Sequence, residues 1–339
     1  MVGLMWWISG NPWVRDDAHS HGISEQDSSR LGGVIIALGY IGFAVVSSNQ
    51  FSAASASGQE FASPLIAAES LFLWGLVAMV GMWDDFVSNI AAPARLTLVS
   101  IFSLLWVVIT PGVTQLEAYA WLPALLAHEA VLVIACAFVI TAFVNAGNMA
   151  DGANGLLSGI CLAFFTFTFF EYSSQSVFAL IMALTIFIVF NVGTGKIFLG
   201  DFGSYGLSSA VAMTALVMYG SGNYTMWLLA SIVSYPCVER VRVVAQRAAR
   251  KISPMQAGND HTHNFLYRVC RQAGLGRIAA NSLTGCAIAI VSAAVPAGLA
   301  MTGVLARTDT AAWLGYFVAY IVLHIAAARL LKISAEQSA

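Results

Sequence analysis

Charged residues are scarce in this sequence: Asp, Glu, Lys and Arg make up 9% of its 339 residues, while 59% are hydrophobic. A water-soluble protein carries charge on roughly a quarter of its residues, because its surface must stay hydrated. The scarcity therefore excludes a soluble globular protein and predicts that lipid surrounds most of the chain. The formal net charge of −2 also argues against a nucleic-acid partner, which requires an excess of positive charge.

Cysteine is scarce as well, and its five positions show neither the even number of a disulfide framework nor the spacing of a metal site. They are Cys136, Cys161, Cys237, Cys270 and Cys286. Most lie in apolar runs, so we expect reduced thiols that pack as small hydrophobic side chains. The apolar first eight residues lack a basic start, and we expect no signal peptide there.

Long apolar runs are what the sequence has in abundance, each close to the roughly 20 residues that cross a bilayer. They lie near 31–49, 64–83, 96–113, 122–144, 154–171, 175–193, 205–221, 224–240, 278–302 and 311–331. These runs predict an all-α integral membrane protein with about ten transmembrane helices and a single polytopic domain over 1–339. Catalytic loops are expected near 84–95, 145–153, 194–204 and 241–277.

The positions of Lys and Arg predict the orientation, because cytoplasmic loops carry an excess of both. With the N-terminus in the cytoplasm, nearly all of them fall on that side and only Arg307 falls outside. The same orientation brings the chemically active side chains of the loops to the cytoplasmic face. These are Asp84, Asp85, Asp151, Asp201, His261 and His263.

The few carboxylates recur at the edges of apolar runs, where an ionised group is costly unless an opposite charge meets it. A metal ion carrying a phosphate is a natural partner for several of them. Asp84 and Asp85 end the second run. One of the pair could bind Mg²⁺ while the other acts as a base; a solvated helix end is the alternative.

Amide and carboxylate side chains recur at every third position between the fourth and fifth runs. Asn145, Asn148 and Asp151 would share one face of a helix, and Gly152 and Gly155 would let the backbone approach a ligand closely. Asn amides can bind a sugar or nucleotide, and Asp151 can bind a metal. A polar loop with a helix-capping glycine is the alternative.

The segment 191–204 combines a cation, an aromatic side chain and a carboxylate just before a predicted helix. Lys196 could neutralise a phosphate, and Asp201 could hold a cation beside the anion site that a helix N-terminus forms. Phe198 could stack on a base, although aromatic side chains at an interface usually anchor a helix.

Two histidines separated by one residue, His261 and His263, follow a basic stretch. No cysteine or carboxylate set completes a zinc site with them, so we expect neutral or protonated imidazoles that hydrogen-bond a pyrophosphate. The surrounding arginines either meet lipid phosphates or enforce topology. His128 and His324, which lie within apolar runs, are expected to be structural.

Five strings occur in a fixed order: Arg30-Leu31-Gly32-Gly33, Asp84-Asp85, Asn145 to Leu156, Lys196 to Ser204, and Ser253-Pro254 followed by His261-Thr262-His263. From Arg30 to about Arg268 the chain resembles the polyprenyl-phosphate N-acetylhexosamine-1-phosphate transferases, the MraY/WecA-like family. The resemblance implies transfer of a sugar phosphate such as GlcNAc-1-phosphate from a UDP-sugar to undecaprenyl phosphate, with release of UMP. It also implies a Mg²⁺ cofactor, or Mn²⁺ in its place, at the cytoplasmic face of a bacterial inner membrane.

The resemblance further implies roles for individual residues. Asp201 would be the principal metal ligand, joined by Asp151 and Asp84, while Asp84 or Asp85 would activate the lipid phosphate. The nucleotide sugar would contact Asn145, Asn148, Asp151, Phe198 (stacked on uracil), Lys196, His261 and His263. Such an enzyme would begin synthesis of a lipid-linked cell-envelope polysaccharide such as lipopolysaccharide O-antigen.

The chain departs from the family pattern at Ser88, where Asp or Asn is usual, at Gly258-Asn259, where Asp-Arg is usual, and at Asn264, where a further histidine is common. The altered histidine loop favours a simple UDP-N-acetylhexosamine over the pentapeptide-bearing peptidoglycan precursor. A secondary transporter and a non-catalytic polyprenyl-phosphate binder are the alternatives. The sequence leaves open the amino sugar, the polysaccharide and the formation of a homodimer.

Overall fold

The computed structural model describes residues 1–10, 29–54, 68–87, 90–115, 119–123, 126–251 and 260–337. Ser88, Ser253-Pro254 and Gly258-Asn259 lie outside these residues. The regular structure within them is helical, apart from an isolated parallel bridge between Ser29 and Ile197. The helices are α1 (Val2–Gly10), α2 (Gly32–Ala54), α3 (Ala68–Val87), α4 (Ala92–Ile109), α5 (Glu129–Ala150), α6 (Leu156–Tyr172), α7 (Gln175–Thr194), α8 (Gly200–Gly220), α9 (Met226–Ile232), α10 (Ser234–Ala249), α11 (Thr262–Gln272), α12 (Arg277–Ala289), α13 (Val295–Met301) and α14 (Thr310–Gln337). A π-helical turn, Ile290–Ala294, joins α12 to α13.

Five helices in the described part of the chain are long and apolar enough to cross a membrane. They are α4, α5, α7, the continuous segment Arg277–Met301 and α14. The apolar helices Gly32–Val46 and α6 are shorter. The predicted all-helical membrane architecture is therefore confirmed, while the predicted count of about ten spans is not.

The run near 224–240, predicted as one span, forms two helices. α9 ends at Ile232 and α10 begins at Ser234. Pro236 has no backbone N–H to donate to the carbonyl of Ile232, and proline inside a helix interrupts it in this way. The predicted run is therefore not one continuous helix, and its second part, α10, carries Glu239 and several arginines.

The helix α8 lies at the centre of the fold, packed against α2, α3 and α5. Small side chains along it let neighbouring helices approach closely. A Cβ atom on Gly147 of α5 would overlap Ser208 of α8, and one on Gly81 of α3 would overlap the carbonyl oxygen of Asp201. The first turn of α8 is consequently held where the ends of α2, α3 and α5 meet.

Candidate active site at the end of the helix bundle

Backbone hydrogen bonds join the segment before α2 to the segment before α8. The Ser29 N–H donates to the Lys196 carbonyl (3.1 Å), and the Phe198 N–H donates to the Ser29 carbonyl (2.8 Å). The Gly32 N–H then donates to the Phe198 carbonyl (2.9 Å). This pairing sets Arg30 beside the start of α8, although the two strings are far apart in sequence.

The adjacent aspartates at the end of α3 have different partners. Asp85 Oδ2 accepts a hydrogen bond from the Phe202 N–H (3.0 Å) in the first turn of α8. An acceptor at this point satisfies a backbone donor that has no partner within the helix. Asp85 Oδ1 lies 3.8 Å from Arg30 Nη1. Asp85 is therefore the cap of α8, supplied from another helix.

Asp84, by contrast, faces Asp201. Arg95 of α4 donates from Nη1 to Asp84 Oδ2, and the same Nη1 lies 3.7 Å from Asp201 Oδ2. Burial and the neighbouring Asp84 carboxyl raise the pKa of Asp201 well above its usual range, and Asp85 raises it further. Asp84 and Asp201 thus form a pair of carboxyls whose repulsion Arg95 reduces.

Asp151 caps the C-terminus of α5 and lies close enough to respond to the same charges. Its backbone N–H donates to the Gly147 carbonyl (3.0 Å). Burial and the Asp85 carboxylate raise the pKa of Asp151 to about 7. Asp151 therefore lies near enough to Asp85 for their charges to interact.

The oxygen atoms of this cluster fit a hard divalent cation. Mg²⁺ is commonly held by one or two carboxylates and completed by substrate phosphates and water, and Asp84 and Asp201 supply such a pair. Asp85 Oδ1 is buried without a hydrogen-bond partner, which is an unsatisfied acceptor at the same place. Over the part of the chain that the structure describes, no group of three or more His, Cys, Asp or Glu side chains is arranged to hold a metal.

The two asparagines of α5 differ in their bonding. Asn148 Oδ1 accepts from the Ser204 hydroxyl (2.7 Å) of α8, which joins Asn148 to the carboxylate cluster. Asn145 Nδ2 donates to the Thr141 carbonyl (2.9 Å) one turn earlier in its own helix. Of the predicted nucleotide-sugar contacts on this helix, Asn148 therefore lies nearer the carboxylates.

A buried amide network behind this loop was not predicted from the sequence. Asn191 Oδ1 accepts from the Gly155 N–H (2.8 Å), and its Nδ2 donates to the Ile197 carbonyl (2.7 Å). Asn281 of α12 accepts from the Asn154 N–H (2.6 Å). The only signal for Asn281 was a polar residue inside the apolar run 278–302, where burial demands a partner.

His263, in the first turn of α11, lies against Gly152, the glycine that follows Asp151. The rings of His261 and His263 stack with centroids 5.2 Å apart and an interplanar angle of 2°. The Tyr235 hydroxyl is 2.8 Å from His263 Nδ1, and a Cβ on Gly152 would overlap His263 Nε2. Burial and the adjacent His261 lower the pKa of His263 to about 3, so His263 is neutral near pH 7.

Lys196 and Phe198 lie on the segment that pairs with Ser29. The Lys196 ammonium sits 4.6 Å from the centroid of the Trp6 ring of α1, in an exposed position. Phe198 is half-buried. Their expected contacts with phosphate and uracil stay predictions.

The capping role of Asp85 predicts a difference between two substitutions. Asp85→Ala should lower the free energy of unfolding by about 1 kcal/mol, the typical cost of a lost N-cap. Asp85→Asn should lower it by less, because its amide oxygen can still accept from Phe202. Thermal unfolding of the purified variants in detergent tests this, and equal stabilities would contradict the cap.

Comparison with known families gives a match over residues 68–219 to the model described as Glycosyl transferase family 4. This range includes Asp84, Asp85, Asp151 and Asp201, but not the histidine loop. The family match therefore contains the carboxylate cluster and ends before α9.

The chain is 26% identical over 271 residues to a phospho-N-acetylmuramoyl-pentapeptide-transferase of Gloeothece citriformis (strain PCC 7424), covering 73% of this chain and 67% of that protein. It is 28% identical over 149 residues to the undecaprenyl-phosphate alpha-N-acetylglucosaminyl 1-phosphate transferase of Yersinia pestis, covering 39% and 40%. A phospho-N-acetylmuramoyl-pentapeptide-transferase of Fervidobacterium nodosum is 28% identical over 166 residues, covering 44% and 51%. The chain thus spans about half or less of the last two relatives, whose names give different sugars.

Proposed function

Because the chain belongs to the MraY/WecA-like family of polyprenyl-phosphate sugar-1-phosphate transferases, we propose that it moves N-acetylhexosamine-1-phosphate from a UDP-sugar to polyprenyl phosphate and releases UMP. The observation that carries the proposal is the meeting of Asp84 with Asp201 beside Asp85, Asp151 and Arg95. Three separate strings converge there, at the end of the helix bundle.

The bond changes follow from the products. An oxygen of the lipid phosphate attacks the phosphorus that bears the sugar, the bond from that phosphorus to the UMP oxygen breaks, and UMP leaves with the electron pair. Both substrates are anionic, so the site must offset their repulsion. Arg95 and Arg30 lie beside the carboxylates and supply fixed positive charge of the kind that stabilises transferring phosphoryl groups.

The other side chains of this site would have separate roles in binding the metal and the substrates. Asp84 and Asp201 would hold Mg²⁺, which when bound neutralises phosphate charge and stabilises the leaving oxygen. Asp85 keeps the first turn of α8 in place and leaves one carboxylate oxygen toward Arg30. Asn148 and neutral His263 would hydrogen-bond the sugar or diphosphate.

The location of the site suits one substrate that is held in the lipid bilayer and one that is dissolved in water. Spanning helices end near it, so a lipid phosphate can approach from the bilayer surface while a water-soluble UDP-sugar approaches from the aqueous side. The Lys and Arg distribution supports the cytoplasm as that side. We therefore place the enzyme in a bacterial inner membrane with this site facing the cytoplasm.

The direct test is UMP release by the purified protein with undecaprenyl phosphate and Mg²⁺. The panel should contain UDP-GlcNAc, UDP-GalNAc and UDP-MurNAc-pentapeptide, because relatives of both sugar types resemble the chain. Release with one substrate, abolished by EDTA and restored by Mg²⁺, is the expected result. No UMP with any of them would refute the transferase, and solute counterflow in proteoliposomes would then indicate a transporter.

A further inference from the structure

Glu239 of α10 is a buried carboxylate with an unusually full set of partners. It is 2% exposed and accepts from Arg242 Nε (3.0 Å) and Nη2 (2.6 Å). It also accepts from the backbone N–H (2.9 Å) and hydroxyl (2.7 Å) of Thr262. Since a buried charge is costly unless it is paired and hydrogen-bonded, these partners hold the carboxylate in one position.

The bonds to Thr262 connect Glu239 with the histidine loop. Thr262 is the first residue of α11, and the preceding His261 provides no side-chain cap. Glu239 therefore places its acceptor and negative charge at the N-terminus of α11, where both are favourable. His261 and His263 flank Thr262, so the position of this turn sets the positions of both histidines. His261 Nδ1 itself lies 3.4 Å from Glu239 Oε1.

His324 reaches the same carboxylate from the C-terminal helix α14. Its Nε2 is 2.8 Å from Glu239 Oε2, and it is 7% exposed. The imidazole also meets the Tyr235 ring edge-on, with centroids 5.6 Å apart, and Tyr235 bonds His263. His324 thus contacts both residues that hold the histidine loop.

We propose that Glu239 is a positioning residue for His261 and His263, and that His324 fixes Glu239, so that α14 is required to align the active site. The proposal rests on the proposed transferase activity, because the two loop histidines act there on the UDP-sugar. It involves residues outside the family match, and it gives His324 a role beyond packing.

Two substitutions separate the hydrogen bond of His324 from its ring packing. His324→Phe keeps an aromatic ring against Tyr235 but cannot donate to Glu239, whereas the amide of His324→Gln can. We expect His324→Phe to lower kcat about 10- to 100-fold, as small misplacements of active-site groups do, and to raise the KM for UDP-sugar. His324→Gln should recover most of the activity, and the KM for polyprenyl phosphate should stay unchanged in both.

The kinetic split distinguishes positioning from a purely structural role. Partial unfolding reduces the amount of active enzyme and changes neither KM. The matched control is His128→Asn, which removes an exposed imidazole at the opposite end of α5 but keeps a side-chain acceptor for the Ala130 N–H that His128 caps. It should leave both constants within about twofold, as surface changes usually do. If His324→Phe does not fold, His324→Asn replaces it, because the shorter amide cannot reach Glu239.

A double-mutant cycle tests whether His324 acts through Glu239. Residues in one hydrogen-bonded network show non-additive effects, so the double variant Glu239→Gln/His324→Phe should be no slower than Glu239→Gln alone. Multiplying losses, or wild-type kinetics in His324→Phe, would overturn the proposal. If the wild type releases no UMP, the transferase proposal fails, and calorimetric binding of UDP-GlcNAc to the same variants then tests positioning by itself.

Discussion

Replacing Asp201 by Asn should lower UMP release about 100- to 1,000-fold, the loss seen when one charge-stabilising group leaves an active site. The same substitution should leave thermal stability unchanged or higher. Burial and the neighbouring Asp84 and Asp85 carboxyls raise the pKa of Asp201, so a neutral amide avoids the cost of burying a charge and relieves repulsion in the folded protein. Initial rates and thermal unfolding of the same preparation measure both effects.

The combination of lost turnover with retained stability is the informative result, because it separates a functional carboxylate from a structural one. Glu336→Gln serves as the matched control, since this carboxylate is exposed near the end of α14 and should be silent in both assays. Near-normal activity of Asp201→Asn would remove Asp201 from the proposed metal site. A large fall in unfolding temperature would indicate instead that Asp201 mainly holds α8 in place.

Replacing Gly33 by Ala should destabilise the fold by about 1–3 kcal/mol, the usual cost of overpacking, and abolish most activity with it. A Cβ on Gly33 would overlap the backbone of Gly203, so α2 and α8 would have to separate. The Gly33 N–H also donates to the Leu199 carbonyl (2.8 Å). Separation would therefore move the segment that carries Lys196 and Phe198.

Gly42→Ala is the control for this prediction, because it makes the same change in the same helix. Nothing lies within 4 Å of a Cβ at Gly42, and Ala favours a helix by up to about 1 kcal/mol over Gly. The unfolding temperature of Gly42→Ala should equal that of the wild type or exceed it. If both alanine variants unfold at the same temperature, the close crossing of α2 and α8 does not hold the site together.

Much of the candidate site was predictable because its residues occur in short stretches of the sequence. Asp84-Asp85, Asn145 to Asp151 and the segment before Asp201 each lie next to an apolar run, where a charged group needs a partner. The structure brings these strings together at one end of the bundle, while the assignment of that end to the cytoplasm stays a prediction. The supporting residues Asn281 and His324 were missed or assigned to packing, because a single polar residue in an apolar run gives no sign of its partner.

The different partners of Asp84 and Asp85 could not be predicted from the sequence. The two residues are adjacent, so composition and spacing treat them alike. On a helix, however, successive side chains point about 100° apart. The Asp85 carboxylate therefore reaches the backbone N–H of Phe202 while the Asp84 carboxyl meets the Asp201 side chain, and only the packing of α3 against α8 decides which.

The sequence by itself determined that this chain is helical and carries helices apolar enough to cross a membrane, because those properties depend on composition and on the length of apolar runs. It also predicted which side chains would carry the chemistry, because the strings are local. The tertiary structure alone decided their partners: Asp84 with Asp201, Asp85 with α8, His263 with Gly152 and His324 with Glu239. These contacts join residues distant in the chain, and the close approach of α3 to α8 among them depends on the missing side chain of Gly81.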